Sequence, residues 1–204
     1  MRFTDKDVET VECRTVYDGY FRIDRYRLRH RLHAGGWSGE MTREVFERGH
    51  AVGVLPYDPV RDEVVLLEQF RVGALAAGWA PWLIEIVAGI VEEGETAEDV
   101  ARREAMEEAG CQVAELVPLH DYLVSPGGTS ESVALFAGRV DSAGAGGIHG
   151  LDHEHEDIRV FTLPADEALD LLARGSIRNA LAVIALQWLA LNRNELRKKW
   201  GRKV

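Results

Sequence analysis

The strongest constraint on the fold is the segment GIVEEGETAEDVARREAMEEAGC, residues 89–111, which places eight acidic residues within 23 positions. Thr96, followed three residues later by Asp99, has the pattern of an N-terminal capping box. Gly110 is typical of the residue at which a helix ends, because glycine adopts the left-handed conformation without strain. The segment therefore predicts a helix that begins after Thr96 and ends at Gly110.

One face of this helix carries an unusual concentration of negative charge. Glu104, Glu107 and Glu108 are separated by offsets of three and four, which places them within an arc of roughly 100°. Val100 shares this arc, so the face is not plainly the solvent side. Two like charges about 5 Å apart repel each other by roughly 3 kcal/mol at an effective dielectric constant of 20. A divalent cation such as Mg²⁺ or Mn²⁺, which prefers oxygen ligands, would remove this repulsion.

A simpler interpretation is a solvated acidic helix face. Arg102 and Arg103 lie on the same helix and could pair with the glutamates one turn away. Both interpretations are compatible with the helix itself.

Composition excludes several classes of partner. The chain has 204 residues, 46% of them apolar, and a net charge of −10. This charge repels a nucleic-acid backbone or an anionic membrane, so neither is expected as a partner. Cys13 and Cys111 match no metal-ligand spacing and are consistent with a reducing cytoplasm. The first ten residues do not resemble a signal peptide, and no apolar run is long enough to span a membrane.

Hydrophobic patterning divides the chain into two regions. Residues 1–48 alternate like antiparallel strands, with Tyr26, Leu28, His30 and Leu32 on one side and arginines on the other. Residues 49–204 contain a hairpin around YDPVRD, several further short strands and a long loop of glycine and acidic residues at 141–157. One helix between the strands and two at the end predict an α/β sandwich with a mixed sheet.

The acidic segment also matches a known motif. Its fixed positions follow the pattern G-x5-E-x7-R-E-x-x-E-E-x-G and are, in order, Gly89, Glu95, Arg103, Glu104, Glu107, Glu108 and Gly110. This pattern resembles the Nudix box. The segments FERGHAVGVLPYDPVRDEVVLLEQFR, SPGGTSE, GIHGL, EDIRV and VIALQWL resemble the ADP-ribose pyrophosphatase branch of the Nudix hydrolases over nearly the whole chain. Pro126, sixteen residues after Gly110, lies near the position at which that branch carries a proline.

The resemblance implies a fold, an activity and an assembly. Residues 49–204 would form a Nudix hydrolase domain, an α/β/α sandwich with a mixed sheet. Residues 1–48 would form an N-terminal antiparallel β region that makes dimer and substrate contacts in a homodimer. The implied reaction is hydrolysis of ADP-ribose to AMP and ribose 5-phosphate, with two or three Mg²⁺ ions or with Mn²⁺ in their place. A related nucleoside diphosphate sugar is the other substrate that the resemblance allows.

Metal ligands and a general base follow from the same resemblance. Glu104 and Glu108 are expected to bind metal on both spacing and resemblance, and the carbonyl of Ala88 and the carboxylate of Glu156 on resemblance. Glu154 is the implied general base. Whether Glu107 also binds metal stays open. His153 and His155 could instead indicate zinc, although a second pair of ligands is missing.

The substrate contacts rest on weaker signals. Arg71 ends a strand and could pair with a phosphate, or be an ordinary surface arginine. By resemblance, Tyr20 and Phe21 contact the adenine with Arg43 and Glu44 nearby, although Tyr20 and Phe21 could equally be ordinary strand residues. The other substrate-lining positions implied by the resemblance are Arg48, Ile90, Ser125, Pro126, Gly127 and Glu131.

Glu95 and Arg103 are expected to form a buried ion pair that braces the loop against the helix. Two alternatives to ADP-ribose hydrolysis remain. One is the same chemistry on another nucleotide sugar, such as GDP-mannose. The other is a nucleotide sensor without turnover, which usually lacks part of the glutamate set.

Overall fold

The structure is a computed structural model that describes residues 3–151 and 155–201. The strands are β1 (Val8–Asp18), β2 (Arg22–His30), β3 (Met41–Glu47), β4 (Ala51–Asp58), β5 (Glu63–Phe70), β6 (Trp82–Glu85), β7 (Val87–Ile90), β8 (Glu115–Leu123), β9 (Ser132–Arg139), β10 (Gly147–His149) and β11 (Ile158–Pro164). The helices are α1 (Val72–Ala76), α2 (Ala97–Ala109), α3 (Ala165–Ala173) and α4 (Ala180–Trp200).

The strands form two sheets. Strands β1, β2 and β3 make an antiparallel sheet in that order. The other sheet has eight strands, with the order β10-β11-β5-β4-β9-β8, while β6 pairs with β5 and β7 with β4. It is mixed because β4 runs parallel to β9 and antiparallel to its other partners.

The two central strands of the mixed sheet separate after a short hairpin. β4 and β5 pair only next to their turn, through Tyr57 with Val64 and Asp58 with Glu63. Beyond that point β4 continues along β7, and β5 continues along β6. The sequence predicted one strand between residues 81 and 89, and the structure divides it into β6 and β7 at Ile86. This division brings the β7 backbone beside α2.

Helices cover both faces of the mixed sheet. Val52 and Val54 of β4 pack with α2 in one apolar core. Gly53 faces the other way, where an added Cβ would lie 3.0 Å from Leu181 of α4. This alternation along one strand is the pattern of a sheet buried on both faces. The predicted α/β/α sandwich with a mixed sheet and a separate antiparallel sheet is therefore confirmed.

The ends of α2 are those that its sequence predicts. The Thr96 hydroxyl accepts a hydrogen bond from the Asp99 N–H at 3.2 Å, and the Asp99 carboxylate accepts one from the Thr96 N–H at 3.4 Å. Gly110 has a φ of 61°, the left-handed conformation that glycine tolerates best. The capping box and the terminal glycine together fix the part of the helix that carries the glutamates.

The final helix is held at its first turn and along one apolar stripe. The Asn179 side chain accepts a hydrogen bond from the Ala182 N–H at 3.2 Å and so caps α4. Ala182, Leu186 and Leu189 are fully buried at spacings of three and four residues. The basic residues Arg197, Lys198 and Lys199 occupy the last turn, where positive charge is favourable.

Two short elements in residues 51–204 were not predicted from the sequence. α1 has five residues in the loop after β5, and β10 has three residues in the glycine-rich segment that the sequence predicts as loop. Neither is long enough to carry a periodic signal. Within residues 3–151 and 155–201, no helix has the length and hydrophobicity needed to span a bilayer.

The chain divides into two compact units. The N-terminal unit comprises the residues up to His50 together with Tyr122–Ser132, and the sandwich unit comprises Ala51–Asp121 and the residues from Val133 onward. The sequence places the boundary at residue 48 and does not anticipate that a later segment joins the first unit. The boundary at residue 48 stays a prediction.

Candidate active site

The close approach of α2 to β7 explains the first glycine of the acidic motif. Gly89 pairs with Val52 across β4 and β7. A Cβ atom built on Gly89 would lie only 1.8 Å from Oε1 of Glu104. Any other residue here would displace the Glu104 side chain, so the glycine is needed to bring a carboxylate against the strand.

Glu108 is the most deeply buried carboxylate of the acidic face. It is 5% exposed, and its Oε2 accepts a hydrogen bond of 3.0 Å from the Ala88 N–H. The pKa of its carboxyl group is raised to about 8, chiefly by burial and also by Glu104 and Glu156, while the Ala88 N–H and Arg71 act in the opposite direction. Such a group is stable in its charged form only beside a compensating positive charge.

Glu104 is in a related environment. Its side chain is largely buried, and burial raises the pKa of its carboxyl group, although the neighbouring Arg103 guanidinium acts to lower it. The Arg103 Nη1 atom lies 2.7 Å from Oε1 of Glu104. Glu107 and Glu156 add to the upward shift. Burial therefore disfavours the ionised form of both glutamates that the motif predicts as metal ligands.

Arg103 organises the outer side of the motif. Its Nε lies 2.8 Å from Glu95 and its Nη1 3.1 Å from Glu107. The ion pair predicted between Glu95 and Arg103 is therefore present, half-buried rather than fully buried. Glu107 is more exposed than Glu104 and pairs with the arginine, so the solvated-face interpretation describes this one glutamate.

The donor set suits a hard divalent cation. Carboxylates and a backbone carbonyl are oxygen ligands, and Mg²⁺ commonly takes only one or two protein carboxylates together with substrate phosphates. Glu104, Glu108 and the backbone at Ala88 provide such a set on two adjacent elements. Across the described residues, no group of three or more His, Cys, Asp or Glu side chains is arranged so that it could hold a metal ion. The Ala88 carbonyl and the carboxylates of Glu104 and Glu108 are the oxygen donors that Mg²⁺ takes together with substrate phosphates.

The segment HEHED contains one predicted metal ligand, Glu156, and one predicted general base, Glu154, and only Glu156 lies within the described residues. Glu156 accepts a hydrogen bond of 3.2 Å from the Leu151 N–H, and it lies close enough to Glu104 and Glu108 to raise the pKa of both. Glu154, the predicted general base, and His153 lie outside the described residues. His155 has a φ of 56°.

Arg71 lies at the edge of the same carboxylate group but is not a free surface arginine. Its guanidinium binds Glu85, with Nη2 and Oε2 2.8 Å apart. The charges of Glu108 and Glu156 also act on Arg71 and help to raise its pKa. The predicted phosphate contact is thus accompanied by an internal partner that the sequence did not identify. Ile90, another predicted substrate position, is the last residue of β7 and is exposed.

In the N-terminal unit, the structure groups several of the predicted substrate positions around Phe21. The Phe21 ring packs edge-on against Tyr20, with the centroids 4.7 Å apart, and the Arg48 guanidinium lies 5.9 Å from the Phe21 centroid. Arg48 also pairs with buried Glu131 at 3.4 Å. Tyr20 is 91% exposed and lies between β1 and β2, so it is not an ordinary strand residue.

Other predicted substrate positions in this unit serve the local structure. The Ser125 carbonyl accepts hydrogen bonds from the N–H groups of Gly128 and Thr129, both at 3.0 Å, which makes 125–129 a tight turn containing Pro126 and Gly127. Glu44 pairs with Arg25 at 2.7 Å. The Arg43 guanidinium donates to the Thr42 carbonyl at 2.8 Å and is not placed on the Phe21 cluster by any contact among the described residues.

Three polar residues near Arg71, namely Glu85, Gln69 and Asn179, were not predicted as part of the site. Glu85 accepts hydrogen bonds from Gln69 at 3.2 Å and from Asn179 at 2.9 Å, in addition to those from Arg71. A signal for Glu85 was available, because an acidic residue in the middle of the apolar strand PWLIEIVAG needs a partner. The identity of that partner depends on the tertiary structure.

Comparison with known proteins identifies the family. The model of the NUDIX domain matches residues 47–184. The chain therefore belongs to the Nudix family, as the glutamate motif predicted.

Several individual proteins are similar to this chain over most of its length. The chain is 52% identical over 199 residues to the ADP-ribose pyrophosphatase of Escherichia coli (strain K12), covering 98% of this chain and 95% of that protein. It is 47% identical to the ADP-ribose pyrophosphatase of Haemophilus influenzae, covering 98% and 94%. The GDP-mannose pyrophosphatase of Yersinia pestis (strain Pestoides F) is 32% identical, with 91% and 92% covered. A solved structure described as an ADP compounds hydrolase shares the fold, with a TM-score of 0.72, 20% identity and coverage of 94% and 97%.

Proposed function

We propose that this chain hydrolyses the diphosphate bond of ADP-ribose, with a divalent cation, to release AMP and ribose 5-phosphate. The observation that carries this proposal is the placement of Glu104 and Glu108 against the Ala88–Gly89 backbone, within a complete family motif. The 52% identity to an ADP-ribose pyrophosphatase over nearly the whole chain supports the choice of substrate.

The cation is proposed to be Mg²⁺, in two or three copies, with Mn²⁺ as a substitute. The carbonyl of Ala88 and the carboxylates of Glu104, Glu108 and Glu156 would hold it. When bound, the metal supplies counter-charge for the diphosphate and polarises its phosphorus atoms. The burial of Glu104 and Glu108 supports this assignment: it raises the pKa of both carboxyl groups, and a bound cation would stabilise their ionised forms.

The chain's own residues would then perform three tasks. Arg71 binds the diphosphate through its guanidinium. Glu154 accepts the proton of the attacking water as the general base. Tyr20 and Phe21 stack on the adenine, with additional contacts from the remaining predicted positions. These are Arg43, Glu44, Arg48, Ile90, Ser125, Pro126, Gly127 and Glu131.

We also propose that the chain acts as a cytoplasmic homodimer through its N-terminal sheet. Apolar side chains of the edge strand β1 are exposed, including Val8, Val11 and Tyr17. An edge strand with exposed apolar residues is suited to association. Sedimentation equilibrium should give about twice the chain mass of 22.7 kDa, and a mass that stays at one chain across micromolar concentrations would contradict the dimer.

A substrate series tests the central proposal. We expect kcat/KM for ADP-ribose to exceed that for GDP-mannose and UDP-glucose by at least about tenfold, since pockets that hydrogen-bond a base discriminate strongly against others. Products are identified by chromatography, with and without EDTA. A preference for GDP-mannose would favour the alternative represented by the Yersinia relative, and tight binding without AMP release would favour a nucleotide sensor.

A further inference from the structure

Arg71 and Glu85 form an ion pair with one buried and one exposed end. The Arg71 Nε lies 3.3 Å and 3.1 Å from the two Glu85 oxygens, and Nη2 lies 2.8 Å from Oε2. The Glu85 side chain is 2% exposed, whereas that of Arg71 is 44% exposed. The anion is therefore fixed inside the protein, and the cation extends from it towards solvent.

Glu85 is itself immobilised by neutral donors. Gln69 Nε2 donates to it at 3.2 Å and Asn179 Nδ2 at 2.9 Å. Asn179 is held in turn, because its Oδ1 caps α4 through the Ala182 N–H. A buried carboxylate with this many donors is satisfied and has little freedom to move.

The backbone of Arg71 is also fixed. Its N–H donates to the Pro81 carbonyl at 2.7 Å, which closes the loop between β5 and β6. Phe70 and Trp82, the residues beside this closure, are paired across the two strands. Arg71 is thus anchored at both its main chain and its guanidinium.

One edge of the guanidinium is left for another acceptor. The hydrogen bonds to Glu85 use Nε and Nη2, and within the described residues no hydrogen bond uses Nη1. Glu108 and Glu156 lie near enough to act on Arg71 electrostatically. Arg71 thus keeps a free guanidinium edge next to the proposed cation ligands. The substrate's diphosphate would be bound at the same place.

We propose that Glu85 is a positioning residue, which holds Arg71 so that its free guanidinium edge is oriented towards the diphosphate. This inference rests on the proposed function, in which Arg71 binds that group. An arginine whose fork is already ordered loses less conformational freedom on binding an anion. Gln69 and Asn179 act through Glu85, and none of the three residues needs to touch the substrate.

The decisive experiment is a double-mutant cycle between Glu85→Gln and Arg71→Ala. Glu85→Gln keeps the shape of the side chain but removes its charge, and we expect it to raise KM for ADP-ribose about tenfold with a smaller change in kcat, as for loss of uniform binding. In the Arg71→Ala background, Glu85→Gln should change KM less than about twofold, because its partner is gone. An equal rise in KM in both backgrounds would overturn the proposal.

Two further variants separate positioning from stability. Asn179→Ser keeps a good capping residue for α4 but removes the donor to Glu85, and it should raise KM a few-fold. Asp62→Asn is the matched control, because Asp62 accepts from Arg193 in the same two-pronged manner, at 2.8 Å and 2.6 Å. It should lower the melting temperature and leave KM unchanged. A KM rise in Asp62→Asn as large as in Glu85→Gln would mean that general destabilisation explains both.

A binding measurement without turnover separates the proposed function from the positioning role of Glu85. The dissociation constant for ADP is measured by calorimetry for the wild-type chain, the two single variants and the double variant. ADP carries the diphosphate but lacks the second ribose that ADP-ribose releases. If the wild-type chain fails to cleave ADP-ribose, the proposed function is wrong, while coupling between Glu85 and Arg71 in ADP affinity would still support the positioning role. Additive losses of ADP affinity would contradict that role whatever the substrate.

Discussion

The two sheets of this chain differ most in how they are stabilised. Every residue of β1 is exposed, whereas β4 buries all but its first residue. The three-stranded sheet is covered with cross-strand ion pairs such as Arg25–Glu44 and Arg29–Glu9. The mixed sheet has apolar layers on both faces. Exposed ion pairs contribute about 0–1 kcal/mol each, while a fully buried aliphatic side chain contributes about 1.5–3 kcal/mol.

This difference indicates a division of labour between the two regions. The sandwich unit has enough buried apolar surface to hold buried carboxylates whose ionised forms are unfavourable. The three-stranded sheet has a charged, exposed surface, which suits contact with another molecule better than it suits independent stability. Substitutions in the two regions should therefore fail in different ways.

The largest effect is expected from Glu108→Gln, within the sandwich unit. We expect kcat for AMP release to fall by roughly three orders of magnitude, about 4 kcal/mol, because a proposed cation ligand is lost. The melting temperature should be kept or raised. Since the pKa of Glu108 rises from 4.5 to about 8 on folding, its ionisation lowers the free energy of unfolding as the pH rises through this range.

Glu107→Gln is the control for that variant, because Glu107 is exposed and pairs with Arg103. Its kcat should fall much less. If Glu108→Gln retains near wild-type activity, the metal role assigned to that residue is wrong.

The next prediction compares how much one substitution in each region lowers the free energy of unfolding. Leu186→Ala removes a fully buried side chain of α4 and should lower the free energy of unfolding by about 2–5 kcal/mol. Val11→Ala, at an exposed position of β1, should change the free energy of unfolding of the single chain by no more than about 0.5 kcal/mol, even if it weakens the proposed dimer. Urea unfolding at a protein concentration low enough to keep the chain monomeric measures both. Similar losses would show that the three-stranded sheet contributes a core of its own.

A pH-dependent effect is expected from Asp58, buried at the β4–β5 turn. Burial acts to raise the pKa of its carboxyl group, but hydrogen bonds from Ser142, Arg61 and Val60 outweigh it and lower the pKa from 3.8 to about 2. The resulting stability, on the order of 2 kcal/mol, is present above pH 3.8 and lost as the pH falls through 2.

Asp58→Asn should therefore lose stability at pH 7 and show a weaker decline between pH 4 and pH 2 than the wild-type chain. Chemical unfolding across this pH range provides the measurement. An unchanged decline in the variant would assign the acid sensitivity to other carboxylates.

The smallest effect is expected in the three-stranded sheet. Glu9→Gln removes the partner of Arg29, whose Nη2 lies 2.6 Å away, and both side chains are more than two-fifths exposed. The free energy of unfolding should change by about 0.5 kcal/mol or less, and less still at high salt. A loss above about 1 kcal/mol would mean that the ion pairs of this sheet act as a cooperative network.

The sequence by itself determined the features that depend on residues close together in the chain. Thr96, Asp99 and Gly110 set the ends of α2 because caps act within one turn of helix. The spacing of the glutamates placed them on one face, and the complete motif indicated the family. Alternating apolar residues predicted the strands, since the pleat repeats every two residues.

Only the tertiary structure decided which groups meet across long distances. It divided one predicted strand at Ile86, and it buried Glu108 while leaving Glu107 beside Arg103. It also joined Glu85 to both Arg71 and Asn179. These outcomes depend on the order of strands in the sheet and on the helices packed against it. No local pattern encodes that order, because the apolar strands can pair in several ways and only their combined packing selects one.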